Sequence, residues 1–184
     1  SFPEIMKQNG IYTHLVTDHH HYFADGGATY HQRYSSWDLV RGQAIDRWKA
    51  HVAPDLDALQ STFHPMQQHR TNYMINRQFM VDEEDYCSPQ LFALADDFLQ
   101  RNHDSDNWLL QLECFDPHEP FHAPPRFRDR YKTSYEGPIR AWPIYDRVKE
   151  SPEEIAELRA NYAALVTMTD EYFGKLLDIF DQYD

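Results

Sequence analysis

The sequence predicts an α/β fold with a largely parallel sheet flanked by helices. Two helix-like segments are each followed directly by an apolar run of strand character, and a long amphipathic helix closes the chain. Helices that alternate with strands are typical of domains in which helices cover a mainly parallel sheet. We therefore expect ligands beyond the carboxyl ends of the strands, where such sheets usually bind them.

The first helix-to-strand unit lies at the N-terminus. Phe2 to Gln8 is compatible with a helix, and Gly10 stands where a helix often ends on a residue with positive φ. Residues 11–16 read Ile-Tyr-Thr-His-Leu-Val, a run rich in the β-branched and aromatic types that favour strands. A helix leading directly into a strand is therefore predicted.

The region between residues 18 and 81 has weaker patterns. Residues 18–50 show no period, although they carry six large aromatic side chains: Tyr22, Phe23, Tyr30, Tyr34, Trp37 and Trp48. A loop of this length in a compact domain is either functional or contains a regular element that the pattern does not reveal. The only regular element that the pattern indicates here is a helix near residues 67–78.

A second helix-to-strand unit follows. Ser88 and Pro89 read as an N-cap and a first-turn proline. The apolar stripe behind them has helical spacing and consists of Leu91, Phe92, Leu94, Ala95, Phe98 and Leu99. Residues 108–115 then form a mostly apolar run, which predicts a strand buried on both faces as in parallel sheets.

The last third of the chain contains a turn, a loop and a long helix. Four prolines within residues 116–125 exclude a helix there, and the loop continues to residue 150. Ser151, Pro152 and Glu154 then combine an N-cap, a first-turn proline and an N3 glutamate, which predicts a helix start. Its apolar residues are expected on one side, in the core: Ile155, Leu158, Tyr162, Leu165, Tyr172, Phe173, Leu176, Leu177 and Phe180.

Composition excludes several classes of protein. The 17 lysines and arginines against 30 acidic residues give a net charge of −13, which disfavours nucleic acid and anionic membrane surfaces as partners. No apolar run approaches the length of a transmembrane helix. Two cysteines are too few for a disulfide scaffold. The 184 residues contain no repeat or linker and read as one structural unit.

Two polar turns carry the candidate chemistry, because each directly follows a predicted strand. Residues 17–22 read Thr-Asp-His-His-His-Tyr, and residues 115–120 read Phe-Asp-Pro-His-Glu-Pro. Both combine imidazole with carboxylate, a pairing that can bind a metal, move a proton or hold an anion. His118 is the sharper candidate, since the prolines on either side restrict its backbone.

The histidine run at residues 19–21 is less specific. In an extended segment His19 and His21 would point to one side, and His20 to the other. A zinc site from Asp18, His19 and His21 is one interpretation, and a solvated loop is the simpler one. A non-catalytic carbohydrate platform built from the aromatic residues of segment 22–48 is a further alternative.

Three segments resemble the central part of sulfatases of the alkaline-phosphatase superfamily. Residues 2–13 are similar to the helix and Gly-Tyr-x-Thr strand entry that follow the nucleophile region in that family. Residues 115–124 resemble its Pro-His-x-Pro segment, and residues 162–177 resemble the helix before its second metal-ligand strand. The segments occur in family order and together span essentially the whole chain.

The resemblance implies roles for four residues. His118 would be the histidine that contacts the sulfate ester, with a catalytic and substrate-binding role. His21 would match the histidine of the family's Gly-Lys-x-His segment, and His20 is the alternative. Asp18 lies in the same substrate-binding stretch, which lacks the family's lysine. Either a neighbouring imidazolium replaces that charge, or this branch hydrolyses a different ester.

The resemblance also implies cofactors, substrates and a place in a longer protein. It implies a sulfuric-ester hydrolase that uses a divalent metal, usually calcium, and a formylglycine, and that acts on a sulfated sugar or an aryl sulfate. Phosphodiester or phosphonate-ester hydrolysis is the alternative within the superfamily. The family's nucleophile and metal-ligand segments have no counterpart within residues 1–184. We therefore expect a central fragment, inactive alone, whose uncovered sheet edges favour homo-oligomers.

Cys87 partly resembles the Cys-x-Pro-x-Arg sequence in which a cysteine is oxidised to formylglycine. Leu91 stands where that sequence has arginine. The Ser-Pro pair after Cys87 is already explained as a helix start. Cys87 is therefore not predicted to be the nucleophile.

Overall fold

The computed structural model describes residues 1–183 and confirms the α/β class. Its helices are α1 (Phe2–Gln8), α2 (Leu56–Ser61), α3 (Thr71–Arg77), α4 (Cys87–Asn102), α5 (Pro125–Arg128) and α6 (Pro152–Tyr183). Its strands are β1 (Tyr12–Thr17), β2 (Ser36–Leu39) and β3 (Trp108–Glu113). Short 3-10 turns occupy His20–Phe23, Tyr30–Arg33, Glu83–Asp85 and Asp129–Tyr131.

The three strands form one parallel sheet in the order β2-β1-β3. Thr17, the last residue of β1, lies opposite Leu39 of β2 and Glu113 of β3, so all three strands end at the same edge. β1 is the central strand, and all its residues after Tyr12 are buried. The segments that leave β1 and β3 therefore start side by side.

Strand β2 and helix α2 are not predicted from the sequence. β2 has only four residues, Ser-Trp-Asp-Leu, and Trp37 and Asp38 in its middle are exposed. A short edge strand of this kind shows no alternation of apolar and polar residues. Its pairing with β1 comes from tertiary contacts rather than from its own pattern.

The predicted burial of β3 on both faces is wrong. β3 lies at the edge of the sheet among residues 1–183, and each of its residues is only half-buried. Leu110 and Leu112 pack against α4 and α6, in a cluster with Phe92 and Leu176. The apolar run correctly indicates a parallel strand. The burial of that strand depends on which elements pack on its two faces, and the residues of the run do not specify these elements.

The start of α4 also differs from the prediction. The helix begins at Cys87 with Tyr86 as its N-cap, so Ser88 lies inside the first turn. The Ser88 hydroxyl donates to Asp116 Oδ2 at 2.5 Å. Ser88 therefore hydrogen-bonds a buried carboxyl from within the helix and is not its N-cap.

The start of α6 matches the prediction. Glu154 N–H donates to Ser151 Oγ at 3.3 Å, and Ser151 N–H donates to Glu154 Oε2 at 2.7 Å, which is a capping box.

No helix among residues 1–183 has the length and apolar character to cross a membrane.

Only part of the apolar stripe of α6 lies in the core. Leu165 and Leu176 are buried, whereas Phe173 and Leu177 are 52% and 49% exposed. The prediction that the whole stripe is core is therefore wrong. The apolar residues cover more of the helix circumference than α4 and α5, the helices packed against it, can bury.

Candidate functional site

The two histidine-bearing turns meet around the ring of Phe115, just beyond the carboxyl ends of β1 and β3. The centroid of the Phe115 ring lies 4.3 Å from that of His118, 5.2 Å from His19, 6.2 Å from His21 and 6.4 Å from His20. Parallel strands that end at one edge bring these turns together. The structure thus brings His118, His20 and His21 into one cluster, the histidine cluster.

His118 presents one ring nitrogen to a ligand. Its backbone N–H donates to Phe115 O at 3.0 Å and closes the turn. Its Nδ1 lies 2.7 Å from Glu119 O, and because a carbonyl only accepts, Nδ1 carries a proton and donates. The side chain is 49% exposed, which leaves Nε2 as the atom available to a bound group.

Residues 19–21 do not alternate as an extended segment would. Residues 20–23 form a 3-10 turn, so the rings of His20 and His21 lie side by side with centroids 4.1 Å apart. The His19 ring stacks on Tyr22 at 4.6 Å. His21 is exposed and His20 is buried. The expectation that His20 points away from its neighbours is therefore wrong, because the turn curls the chain.

The electrostatic environment keeps two of these histidines neutral at neutral pH. Burial, and after it the neighbouring His21, lower the pKa of His20 to about 4. Burial also lowers the pKa of His19, with additional contributions from His21 and His118, while Glu113 opposes them. The His19 ring, in the first turn, and the His118 ring, in the second, both lie against Phe115.

Asp18 lies beneath the cluster and joins the two turns. Its Oδ1 accepts the backbone N–H of Phe115 at 2.7 Å, while its Oδ2 has no hydrogen-bond partner among residues 1–183. Burial raises the pKa of Asp18 well above its ordinary value, and the nearby Asp116 adds to the effect. The carboxyl is fully buried, so its geometry favours positioning of the turns over direct contact with a substrate.

Asp116 is a second buried carboxyl at this edge, and sequence reasoning did not single it out. Its Oδ1 accepts from Gln43 Nε2 at 2.7 Å, and its Oδ2 accepts from Ser88 Oγ at 2.5 Å. Burial raises its pKa, while the donors Ser88 and Gln43 act in the opposite direction. Its position after a strand was visible in the sequence, but its two partners come from distant segments.

Glu113 was missed as well, and it anchors the first turn to the end of β3. Its carboxylate accepts from Thr17 Oγ1 and from Tyr22 OH, both at 3.2 Å. Gln111 Nε2 donates to the same carboxylate at 2.9 Å. These bonds hold the start of the histidine run against the neighbouring strand.

Cys87 has the environment of an inert thiol. The residue is 4% exposed, and its Sγ lies 3.8 Å from Arg41 O, to which it donates. Burial raises the pKa of this thiol well above its ordinary value, with a smaller contribution from Asp18. A reactive cysteine needs the opposite conditions, an accessible and electropositive surrounding.

We therefore expect Cys87 to resist alkylation in the folded protein. With iodoacetamide at about pH 8, the Cys87 peptide should stay unmodified for hours and react fully once guanidinium unfolds the chain, because only the thiolate attacks. Peptide mass spectrometry measures both states. Rapid alkylation of Cys87 in the native protein would contradict this description of its surroundings.

Residues 1–183 contain no group of three or more histidine, cysteine, aspartate or glutamate side chains arranged to hold a metal ion. Asp18, His19 and His21, the zinc alternative, do not form such a group. The residues described here therefore do not fit the metal that the resemblance implies, and the buried Cys87 does not fit the formylglycine.

The aromatic residues of segment 22–48 only partly form an exposed surface. Phe23, Tyr30 and Trp37 are between 37% and 48% exposed. The rings of Phe23 and Trp37 flank the buried His31, with centroids at 4.1 and 5.0 Å. Tyr34, in contrast, is buried. The segment therefore presents the exposed rings of Phe23, Tyr30 and Trp37.

A family model described as Sulfatase matches residues 1–184 of the chain. Comparison with curated proteins finds no similar sequence.

Proposed function

The chain belongs to the sulfatase family, and from this membership we propose that it is part of a hydrolase that cleaves a sulfate ester, with His118 and His21 binding the tetrahedral anion. The substrate would be a small sulfated sugar or an aryl sulfate. His20 is the alternative to His21 as the second histidine of this site.

The meeting of the two turns around Phe115 is the observation that carries this proposal. His118 offers its Nε2, and the ring centroid of the exposed His21 lies 6.2 Å from that of the same phenylalanine. Ring N–H groups on two adjacent turns can donate to the oxygens of a tetrahedral anion. The missing lysine of the family segment would be replaced by these rings.

His118 would act as an acid during ester cleavage. As the imidazolium, it would donate the Nε2 proton to the bridging oxygen while an oxygen nucleophile bonds to sulfur and the bond from sulfur to the bridging oxygen breaks. The alcohol leaves with the proton, and the ring becomes neutral. The hydrogen bond from Nδ1 to the Glu119 carbonyl holds the ring in one orientation throughout.

A pair of substrates separates this function from the superfamily alternative. The intact protein would be assayed with 4-nitrophenyl sulfate and with bis(4-nitrophenyl) phosphate under the same conditions. We expect the larger kcat/KM for the sulfate ester. Faster cleavage of the phosphodiester would reverse the order and assign the site to phosphodiester or phosphonate esters.

The carbohydrate platform is the second candidate, supported by the exposed rings of Phe23, Tyr30 and Trp37. Aromatic faces of this kind stack on sugar rings. Calorimetry with a sulfated sugar and its unsulfated parent separates the two functions. Tight and equal binding of both sugars, without hydrolysis, would favour the platform over the esterase.

A further inference from the structure

A cavity of about 480 Å³ opens beside the histidine cluster, and His118 is not among the residues that line it. We call it the Arg47 cavity, and its lining residues are His20, His21, Phe23, Ala24, Asp25, Leu39, Arg41, Ile45, Asp46 and Arg47. Its volume lies within the usual range of small-molecule sites. Because His20 and His21 belong to both, a group held by the cluster is adjacent to this cavity.

One buried polar atom of the lining lacks a partner. His20 is 7% exposed, and its Nε2 forms no hydrogen bond among residues 1–183. Buried polar atoms are nearly always paired, so the unpaired Nε2 of this lining residue is a hydrogen-bonding group that a bound molecule could satisfy. The atom can donate or accept, since the ring is neutral at neutral pH.

The charges of the lining are partly cancelled within the protein. Asp46 Oδ2 accepts from Arg41 Nε at 2.8 Å and from Gly42 N at 2.8 Å, and Asp46 Oδ1 accepts from Arg41 Nη2 at 3.0 Å. Both Asp46 oxygens are therefore occupied. The Asp46 carboxylate is not available to a ligand, and its charge is neutralised by Arg41.

Two charges of the lining stay unpaired. Arg47 and Asp25 are both exposed, and neither side chain forms an ion pair in the described part of the chain. The free hydrogen-bond donors are the Arg47 guanidinium, the rest of the Arg41 guanidinium and the imidazoles. They outnumber the single free carboxylate of Asp25, in a chain whose net charge is −13.

We propose that the Arg47 cavity holds the organic part of the ester and selects one that carries a second anionic group, a carboxylate, bound by the Arg47 guanidinium and His20 Nε2. The apolar side chains of Phe23, Leu39 and Ile45 would contact the ring that bears this carboxylate. The inference rests on the proposed function only in naming the bound group as part of an ester.

Three phenols of similar size test the charge preference. Calorimetry on the intact protein would compare 4-hydroxybenzoate, which is anionic, with neutral 4-hydroxybenzyl alcohol and cationic tyramine. We expect 4-hydroxybenzoate to bind most tightly and to shift the ¹⁵N signal of His20 Nε2. R47A should weaken its binding about fivefold, near the upper end of what an exposed charge pair contributes.

D25N is the matched control, because it removes the opposite charge from the same lining. It should strengthen binding of 4-hydroxybenzoate by up to about twofold, and neither variant should change binding of the neutral alcohol. Equal binding of all three phenols, or no effect of R47A, would overturn the proposal. Tightest binding of tyramine, weakened by D25N, would instead assign the cavity to a cation.

Inorganic sulfate separates this inference from the proposed function. The proposed function predicts that sulfate shifts the signals of His118 and His21, with R47A having little effect on them. If sulfate leaves those signals unchanged while 4-hydroxybenzoate follows the expected pattern, the esterase fails and the cavity assignment stands. If sulfate shifts those signals but 4-hydroxybenzoate does not follow the expected pattern, only the cavity assignment fails.

Discussion

Replacing His118 with alanine is expected to lower turnover of the sulfate ester by the intact protein by about two to four powers of ten, the usual contribution of a positioned acid or base. The variant loses the Nε2 donor that faces the ligand. Its fold should persist, because the His118 side chain is 49% exposed and packs mainly on Phe115. Steady-state kinetics with 4-nitrophenyl sulfate measures the loss.

A histidine outside the cluster provides the control. His51 is exposed in a loop, so His51→Ala should leave turnover within about twofold, as for most surface substitutions. Circular dichroism would verify that both variants remain folded. Unchanged turnover in a folded His118→Ala protein would show that His118 has no catalytic role. The proposal that the histidine cluster takes part in catalysis would then be wrong.

Replacing Asp18 with alanine is expected to separate the two histidine turns. The variant lacks the acceptor for the Phe115 N–H, which would then be buried without a partner, at a cost of about 1–3 kcal/mol in the free energy of unfolding. Asp18→Asn keeps an oxygen at the position of Oδ1 and should retain most of this stability. Denaturant unfolding of the two variants measures the difference.

The same pair of variants tests whether the hydrogen bond between Phe115 N–H and Asp18 is needed for the function of the site. With the turns separated, Asp18→Ala should change the histidine ring signals of His118 and His21 and lower turnover, whereas Asp18→Asn should change both much less. Identical losses in the two variants would show that the charge of Asp18 matters rather than its acceptor. Unchanged ring signals in Asp18→Ala would refute the positioning role.

The pH dependence of stability provides an independent check on Asp18. Burial, and then Asp116, raise its folded-state pKa well above 3.8. The contribution of Asp18 is therefore fully present below pH 3.8 and is lost as the pH rises through the folded-state pKa. The side chain introduced by Asp18→Asn cannot ionise, so the free energy of unfolding of the variant should increase relative to that of the wild type as the pH rises above about 4.

Much of the fold could be read from local sequence patterns. Phe2–Gln8 and the start of α6 at Pro152 match their predicted bounds, and β1 and β3 differ from theirs by one or two residues. Capping residues, prolines and apolar periodicity act within a few residues of one another, so they are visible in a single sequence. β2 has no such local signal and was missed.

Part of the candidate site was also visible. His118, His21, His20 and Asp18 were chosen because each lies in a turn directly after a predicted strand. The topology of a parallel sheet then predicts that such turns meet, and they do meet around Phe115. Their catalytic and substrate-binding roles remain predictions that the kinetic experiments test.

Local sequence patterns were enough to predict the α/β class and the two turns that follow strands, and the sequence also carries the match to the sulfatase family. The burial of Asp18, the pairing of Ser88 and Gln43 with Asp116, and the place of Arg47 in a cavity beside His20 become visible only in the folded chain. Local patterns report the conformation of neighbouring residues. Burial, pKa and hydrogen-bond partners depend instead on segments far apart in the chain, which only folding brings together.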